Sequence, residues 1–114
     1  MTFNEYQKKA LSTETDGGEE RSLGSRAFYT KLLGLMGETG EIAEKFKKIY
    51  RDNDGQMTEE QVADMKKELG DVLWYIATVA AYLDIDLQDI ADFNIEKLAS
   101  RAERGKLQGS GDNR

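Results

Sequence analysis

The sequence predicts an all-α protein, built as a bundle of four to five helices. The chain of 114 residues contains no proline, the residue that most strongly interrupts helices. Its two longest segments repeat apolar residues with the period of a helix that faces a core, and no segment shows the strict alternation that is typical of a strand. A chain of this length has room for one core, so residues 1–114 are expected to form a single domain.

The first half of the chain is expected to contain two helices separated by a polar loop. Thr2 and Glu5 have the spacing of a capping box at the start of a short first helix, which is expected to end near Leu11. Residues 12–24 are polar and contain glycine, so they predict a flexible loop. The second helix is then expected over residues 25–50.

The second half contains two further helices. In order, the sequence predicts a turn at 51–56, a helix from Thr58 to about Leu83, a short connection at 84–86, a helix over 87–104 and a frayed tail at 105–114. Thr58 and Gln61 have the spacing of a second capping box. Asp86 is the expected N-cap of the last helix, and Gly105 is expected to end it.

Both long helices carry an apolar stripe. The stripe of the second helix consists of Leu32, Leu35, Met36, Thr39, Ile42, Ala43, Phe46 and Ile49. The stripe of the third consists of Val62, Met65, Leu69, Val72, Leu73, Ile76, Val79, Ala80 and Leu83. Around Trp74 and Tyr75 the third helix is apolar on nearly every side, which predicts a second buried face. Packing within one chain and self-association both explain such a face; we favour self-association.

Two acidic pairs lie on matching flanks of these stripes. Residues 38–42 read ETGEI and residues 68–72 read ELGDV, so Glu38 and Glu41, like Glu68 and Asp71, are three positions apart. Packing the stripes together would bring the four carboxylates face to face. Two unit charges 4 Å apart repel by about 4 kcal/mol at an effective dielectric constant near 20. A site for Mg²⁺ or Mn²⁺ requires such an arrangement; an ordinary solvated acidic surface remains an equal alternative at this point.

The composition excludes several classes of function. With no His and no Cys, imidazole ligands, thiolate metal sites and Ser-His or Cys-His nucleophiles are absent. The net charge of −6 argues against binding to nucleic-acid polymers, which depends on clustered Lys and Arg. The longest apolar run, at 72–83, is too short to cross a bilayer, and the N-terminus has no apolar signal region. We therefore expect a soluble, cytoplasmic protein with no membrane partner.

The spacing of the acidic pairs resembles that of a known family. E-x-x-E, 26 intervening residues and E-x-x-D resemble the motif of the MazG-like all-α nucleoside triphosphate pyrophosphohydrolases. LMGETGEIAEKFKK and KKELGDVLWYIATVA are similar to the two signature helices of that family, and the resemblance covers about residues 25–104.

The resemblance implies a catalytic site that binds Mg²⁺, with Mn²⁺ as an alternative ion. The implied metal ligands and catalytic residues are Glu38, Glu41, Glu68 and Asp71. The implied reaction splits a nucleoside triphosphate into a monophosphate and pyrophosphate. Gly37 stands where many members have a further acid, which leaves the general base open.

The last predicted helix carries a second match. Asn94, Lys97 and Arg101 lie on one helical face and resemble the N-x-x-K-x-x-x-R arrangement of the family's closing helix, which implies binding of substrate phosphates. Without the resemblance, a solvated cationic face near a helix C-terminus explains the same residues. The implied partners are a nucleoside triphosphate and further copies of the chain, as a homodimer or homotetramer. Two alternatives remain: an enzyme on the same scaffold that acts on dUTP or phosphoribosyl-ATP, and a non-catalytic helical interaction module.

Overall fold

The computed structural model describes residues 1–16 and 21–114 of the chain. Over these residues the secondary structure consists of helices only: α1 (Phe3–Ser12), α2 (Arg26–Asn53), α3 (Glu59–Tyr82) and α4 (Leu87–Glu103). The predicted all-α class is confirmed. Residues 17–20 of the predicted loop lie outside the described residues. In the part of the chain that is described, none of the helices combines the length and the apolar character needed to cross a membrane.

Local hydrogen bonds begin three of the helices where the sequence predicts. Thr2 and Glu5 form the expected capping box, with Glu5 N donating to Thr2 Oγ1 at 3.1 Å and Thr2 N donating to Glu5 Oε2 at 2.8 Å. Thr58 and Gln61 form the same pair of bonds at 3.1 and 2.9 Å. At the start of α2, Phe28 N donates to Ser25 Oγ at 3.1 Å. Each of these caps joins residues three positions apart, which is why the sequence alone reveals them.

The end of α2 lies beyond the predicted position. The sequence predicts a turn from residue 51, but the helix continues to Asn53. The chain leaves the helix only where Asp54 and Gly55 adopt left-handed conformations, with φ of 51° and 82°. Asn53 then donates from Nδ2 to Gln56 O at 2.9 Å, which closes the turn. The polar residues before Asp54 are therefore compatible with helix, and the left-handed pair sets the boundary.

Helix α3 is the centre of the fold. It packs against α1, α2 and α4, and α1 also packs against the start of α4, whereas no described Cα of α2 lies within 8 Å of α1 or α4. Ala77, Thr78 and Ala80 are consequently buried, and Ala77 belongs to a core shared with Ala10 of α1 and Leu87 of α4. The predicted second buried face of α3 therefore exists, but α1 and α4 of the same chain cover it. This stretch does not itself require a second copy.

The junction of α1, α3 and α4 contains a buried polar residue. Gln7 is 7% exposed, and its Nε2 donates to Ala77 O at 3.1 Å and to Ile85 O at 3.0 Å. Its Oε1 accepts from Leu87 N at 3.0 Å. Asp86 occupies the predicted N-cap position of α4 but makes no capping hydrogen bond with its side chain. Residues of α1 thus provide the cap that the sequence assigns to Asp86.

The face of α2 that meets α3 is rotated from the predicted stripe. Met36 and Phe46 of that stripe are 60% and 45% exposed, whereas Lys31 is buried and Glu38 is half-buried. Gly34 explains part of the rotation. A β-carbon at Gly34 would lie 2.8 Å from the Tyr75 hydroxyl oxygen and closer still to the ring carbons, so the glycine admits the Tyr75 ring against α2. Of the acidic pair Glu38 and Glu41, Glu38 therefore lies partly inside the interface between α2 and α3 rather than on its flank.

Candidate metal centre

Three carboxylates converge in the groove between α2 and α3. Glu38 and Glu41 on α2 and Glu68 on α3 each offer one oxygen, and these oxygens all lie within 4.8 Å of one another. Asp71 does not belong to this group of three, but it lies nearby: after burial, its charge contributes to the raised pKa values of Tyr6 and of Glu38. The convergence inferred from the two E-x-x-acid pairs is therefore present for three residues, with Asp71 beside them.

Glu38 is the member of this acid cluster whose environment the protein leaves incomplete. Its Oε2 is inaccessible to solvent and accepts no hydrogen bond from the described residues. Burial, followed by the charges of Glu41, Asp71 and Glu68, raises the pKa of the Glu38 carboxyl. A buried oxygen without a partner is costly, and like charges add to that cost. A cation would compensate for both, and a set of carboxylate oxygens suits hard divalent ions such as Mg²⁺ or Mn²⁺.

Glu38→Gln should raise the melting temperature of the metal-free protein in a pH-dependent way. Because the folded-state pKa of Glu38 is raised, its contribution to stability is present at low pH and is lost as the pH rises through that pKa. The gain in melting temperature should therefore be largest at neutral pH. It should shrink as the pH falls toward the ordinary glutamate pKa of about 4.3, as thermal melts in a chelating buffer would show.

Glu44→Gln is a matched control on the same helix. The hydrogen bond from Lys47 is the main reason that the pKa of Glu44 is lowered, so its ionised form is favoured in the folded state. Removing this charge should not raise the melting temperature, although it changes the net charge by the same amount. An equal gain in both variants would show a general charge effect and would contradict the role given to Glu38.

Lys45 connects the acid cluster to a further acid. Its Nζ lies 2.5 Å from Glu68 Oε1 and 2.7 Å from Asp64 Oδ2, across the groove from α2 to α3. Hydrogen bonds to Asp64 and then to Glu68 raise the pKa of Lys45. Lys45 follows Glu41 by four positions and Asp64 precedes Glu68 by four, so both lie one turn further along the same groove. That spacing is the sequence signal that could have identified the pair.

The neighbouring lysines of α2 pair with an acid of their own helix. Lys47 and Lys48 both pair with Glu44 on the protein surface, at 2.9 and 4.0 Å. Lys45 differs from these two lysines because its position on the helix directs it into the groove, where it reaches Asp64 and Glu68.

The glycines of the two acidic motifs are not required by packing within the chain. A β-carbon built at Gly40 or Gly70 would meet no atom within 4 Å among the described residues. Glycine is weaker than alanine in a helix interior by about 0.8–1 kcal/mol. An alanine at either position would therefore meet no steric obstacle among the described residues.

The three residues of α4 that the sequence assigns to phosphate binding lie apart from these acids. Among the described residues, no hydrogen bond or ion pair joins Asn94, Lys97 or Arg101 to the acid cluster. Arg101 is 5% exposed, and its Nη2 donates to Asp112 O at 2.6 Å. Residues 105–114, for which the sequence predicts a frayed tail, form turns without helix or strand. They fold back here over Arg101, and phosphate binding by this face stays a prediction.

A second polar cluster lies two turns before Glu38 on α2. Lys31 is 1% exposed, and its Nζ lies 2.5 Å from Asp16 Oδ1 and 3.6 Å from Glu14 Oε1. The ammonium also lies 5.3 Å from the centre of the Tyr82 ring, within the range of a cation–π interaction. An adjoining cavity of about 210 Å³ is lined by Thr13, Thr15, Asp16, Thr30, Lys31, Trp74 and Tyr75. Sequence reasoning missed this cluster because its members come from three separate segments: the residues after α1, helix α2 and helix α3.

Comparison with known proteins places this geometry in context. A family model described as the MazG nucleotide pyrophosphohydrolase domain matches residues 26–105, which include the acid cluster and Asp71. The chain is also similar to the Gene 37 protein of Mycobacterium phage L5, with 55% identity over 116 aligned residues that cover 100% of both chains. No solved structure matches the chain.

Proposed function

Because this chain belongs to the MazG nucleotide pyrophosphohydrolase domain family, we propose that it is a metal-dependent hydrolase of nucleoside triphosphates. The reaction would break the phosphoanhydride between the α- and β-phosphates of ribo- or deoxyribonucleotides and release a monophosphate and pyrophosphate. The observation that carries the proposal is the buried Glu38 oxygen, which has no hydrogen-bond partner among the described residues and lies next to the carboxylates of Glu41 and Glu68. A non-catalytic bundle gains nothing from concentrating negative charge around such a group.

The acid cluster is suited to hold Mg²⁺ or Mn²⁺ against a polyphosphate. Glu38, Glu41 and Glu68 would bind the ion, with Asp71 at the edge of the site. When bound, a divalent ion neutralises charge on phosphate oxygens and makes an attacking water more acidic. The chain has no histidine, so the proton of that water must pass to bulk solvent or to a carboxylate of the site.

The cavity beside Lys31 is a suitable place for the nucleoside. Lys31 precedes Glu38 by seven residues on α2, which corresponds to about 10 Å along a helix. This distance is comparable to the distance between the base and the phosphate chain of a nucleotide. A nucleotide whose phosphates lie at the acid cluster could therefore place its base in the cavity. Trp74 and Tyr75 line the cavity with aromatic rings, and base–aromatic stacking contributes about 1–3 kcal/mol per base. Thr13, Thr15 and Asp16 add polar groups for base or sugar.

A panel of nucleotides with Mg²⁺ tests the proposal. The panel should contain ribo- and deoxyribonucleoside triphosphates, dUTP and phosphoribosyl-ATP, with monophosphate, pyrophosphate and orthophosphate measured separately. We expect equimolar monophosphate and pyrophosphate. Hydrolysis of dUTP or phosphoribosyl-ATP alone would support the alternative enzyme on the same scaffold. Orthophosphate as the first product would exclude α–β cleavage, and no hydrolysis of any substrate would favour an interaction module.

Lys97→Ala should lower kcat/KM about 10- to 100-fold if α4 binds substrate phosphates. A hydrogen bond to a charged group contributes about 1.5–3 kcal/mol, whereas an exposed or half-exposed substitution changes stability by less than about 0.5 kcal/mol. The melting temperature and Mn²⁺ binding without nucleotide should therefore stay at wild-type values. Lys9→Ala, an exposed change on α1, is the control. Equal activity of the Lys97→Ala and Lys9→Ala variants would show that Lys97 does not bind substrate phosphates and would contradict a substrate-binding role for α4.

We also propose that the protein forms a homodimer or homotetramer. Leu33 and Met36 on α2 are 70% and 60% exposed, and Phe93 and Ile95 on α4 are 67% and 65% exposed. The radius of gyration is 17.1 Å, against about 13 Å for a compact domain of this length. Both observations suit a chain whose outer helix faces bind another copy. Sedimentation at micromolar concentration should show no folded monomer; a stable species of 12.9 kDa would contradict the proposal.

A further inference from the structure

Lys45 forms an ion pair with Glu68, one of the carboxylates on which the proposed metal site depends. Within residues 1–16 and 21–114, it is the only cation in an ion pair with a member of the acid cluster. Its ammonium lies 2.5 Å from Glu68 Oε1, and the side chain of Glu68 is only 15% exposed in this contact. A carboxylate oxygen that accepts a short bond from an ammonium is less available to a metal ion, because both cations compete for the same lone pairs.

Asp64 gives Lys45 a second contact outside the acid cluster. Its Oδ2 lies 2.7 Å from the same Nζ, and its side chain is 49% exposed. Asp64 precedes Glu68 by one helical turn on α3, and it is not among the residues that converge with Glu38. The ammonium can therefore give up Glu68 and still keep a charged partner.

We propose that Lys45 is an internal counter-ion that competes with the divalent metal, and that Asp64 retains it when the metal binds. The inference rests on the proposed function, because it concerns the same acid cluster. Without metal, Lys45 neutralises part of the charge around Glu68. When a divalent ion enters, Glu68 turns to the ion while Lys45 keeps its bond to Asp64. The pair Lys45–Asp64 thus sets the metal concentration at which the site fills.

Mn²⁺ binding to the nucleotide-free chain tests this mechanism without using activity. Lys45→Met should bind Mn²⁺ about tenfold more tightly than wild-type, because a competing positive charge is removed. Lys48→Met is the matched control: it removes the same charge from the same helix, but Lys48 pairs with Glu44 rather than with Glu68. Its Mn²⁺ affinity should change by less than about twofold. Electron paramagnetic resonance of free Mn²⁺ gives both dissociation constants.

A double-mutant cycle tests the part played by Asp64. Asp64→Asn should weaken Mn²⁺ binding about three- to tenfold in the wild-type background, because Lys45 then has only Glu68 as a partner. In the Lys45→Met background the same change should have little effect. A purely electrostatic influence of Asp64 would instead weaken binding equally in both backgrounds, which would overturn its retaining role.

The outcomes separate this inference from the proposed function. Weaker binding in Lys45→Met would mean that Lys45 orients Glu68 for the metal, and equal affinities of Lys45→Met and Lys48→Met would mean that Lys45 does not compete. Either result overturns the inference while wild-type Mn²⁺ binding and hydrolysis stand. Absence of Mn²⁺ binding in every variant, including wild-type, would overturn the proposed function as well. Circular dichroism should show the same helicity in all of these proteins.

Discussion

Glu41→Gln and Glu68→Gln should each lower the rate of nucleotide hydrolysis by about a thousandfold or more. Both residues belong to the acid cluster, and a bound metal contributes several kcal/mol to a phosphoryl-transfer transition state, where about 4 kcal/mol corresponds to a thousandfold. The loss should appear in kcat as well as in kcat/KM, measured as pyrophosphate release at saturating Mg²⁺.

Thermal stability supplies a second measurement for the same variants. Mn²⁺ at about a hundred times its dissociation constant should stabilise the folded wild-type protein by about 2.7 kcal/mol, because only the folded chain assembles the site. Glu41→Gln and Glu68→Gln should lose most of this gain while keeping wild-type helicity. Glu44→Gln, one turn after Glu41 and paired with Lys47 on the surface, should keep both the gain and the activity. Full metal stabilisation and turnover in Glu41→Gln would exclude the metal site.

Gln7→Leu should destabilise the fold by about 2–4 kcal/mol. The side chain makes three hydrogen bonds at the buried junction of α1, α3 and α4. Each bond contributes about 1 kcal/mol net, and a buried group left without a partner costs about 1–3 kcal/mol. Leucine fills a similar volume, so the effect reports the lost polar contacts rather than a cavity. Urea unfolding monitored by circular dichroism measures the change in free energy of unfolding.

Gln88→Leu provides the comparison for Gln7. Gln88 also makes a side-chain hydrogen bond, from Nε2 to Asp92 Oδ1 at 3.0 Å, but this bond is exposed and the residue is only half-buried. Its replacement should change stability by less than about 0.5 kcal/mol. A similar small change in Gln7→Leu would show that water replaces its partners and that α1 does not hold the start of α4.

Features that depend on neighbouring residues could be predicted from the sequence. The capping boxes at Thr2 and Thr58 each join residues three positions apart, and the helical period brings Glu38 and Glu41 onto one side of α2. The all-α class and the convergence of three of the four acids follow from such short-range patterns. The family resemblance then supplied a chemical role that residue physics alone had left open.

Features that depend on tertiary packing could not be predicted in the same way. The cap of α4 comes from Gln7, 80 residues away from Leu87 in sequence, although Asp86 has the right residue type and position. The stripe of α2 is rotated because the Tyr75 ring packs against Gly34, a contact that hydrophobic periodicity does not encode. Lys45 resembles any lysine on a helix surface until α3 places Asp64 and Glu68 opposite it.

The contact of Gly34 with Tyr75 restricts how the sequence of this protein can change during evolution. A β-carbon at position 34 would overlap the Tyr75 ring, and that ring is held edge-on against Trp74, with centroids 5.1 Å apart. A lineage therefore acquires a larger residue at 34 at the lowest cost in stability after position 75 has become smaller. The reverse order passes through an overpacked intermediate that is less stable by about 1–3 kcal/mol. Among relatives, large residues at the two positions should exclude each other, and the substitution at 75 should be the older of the two.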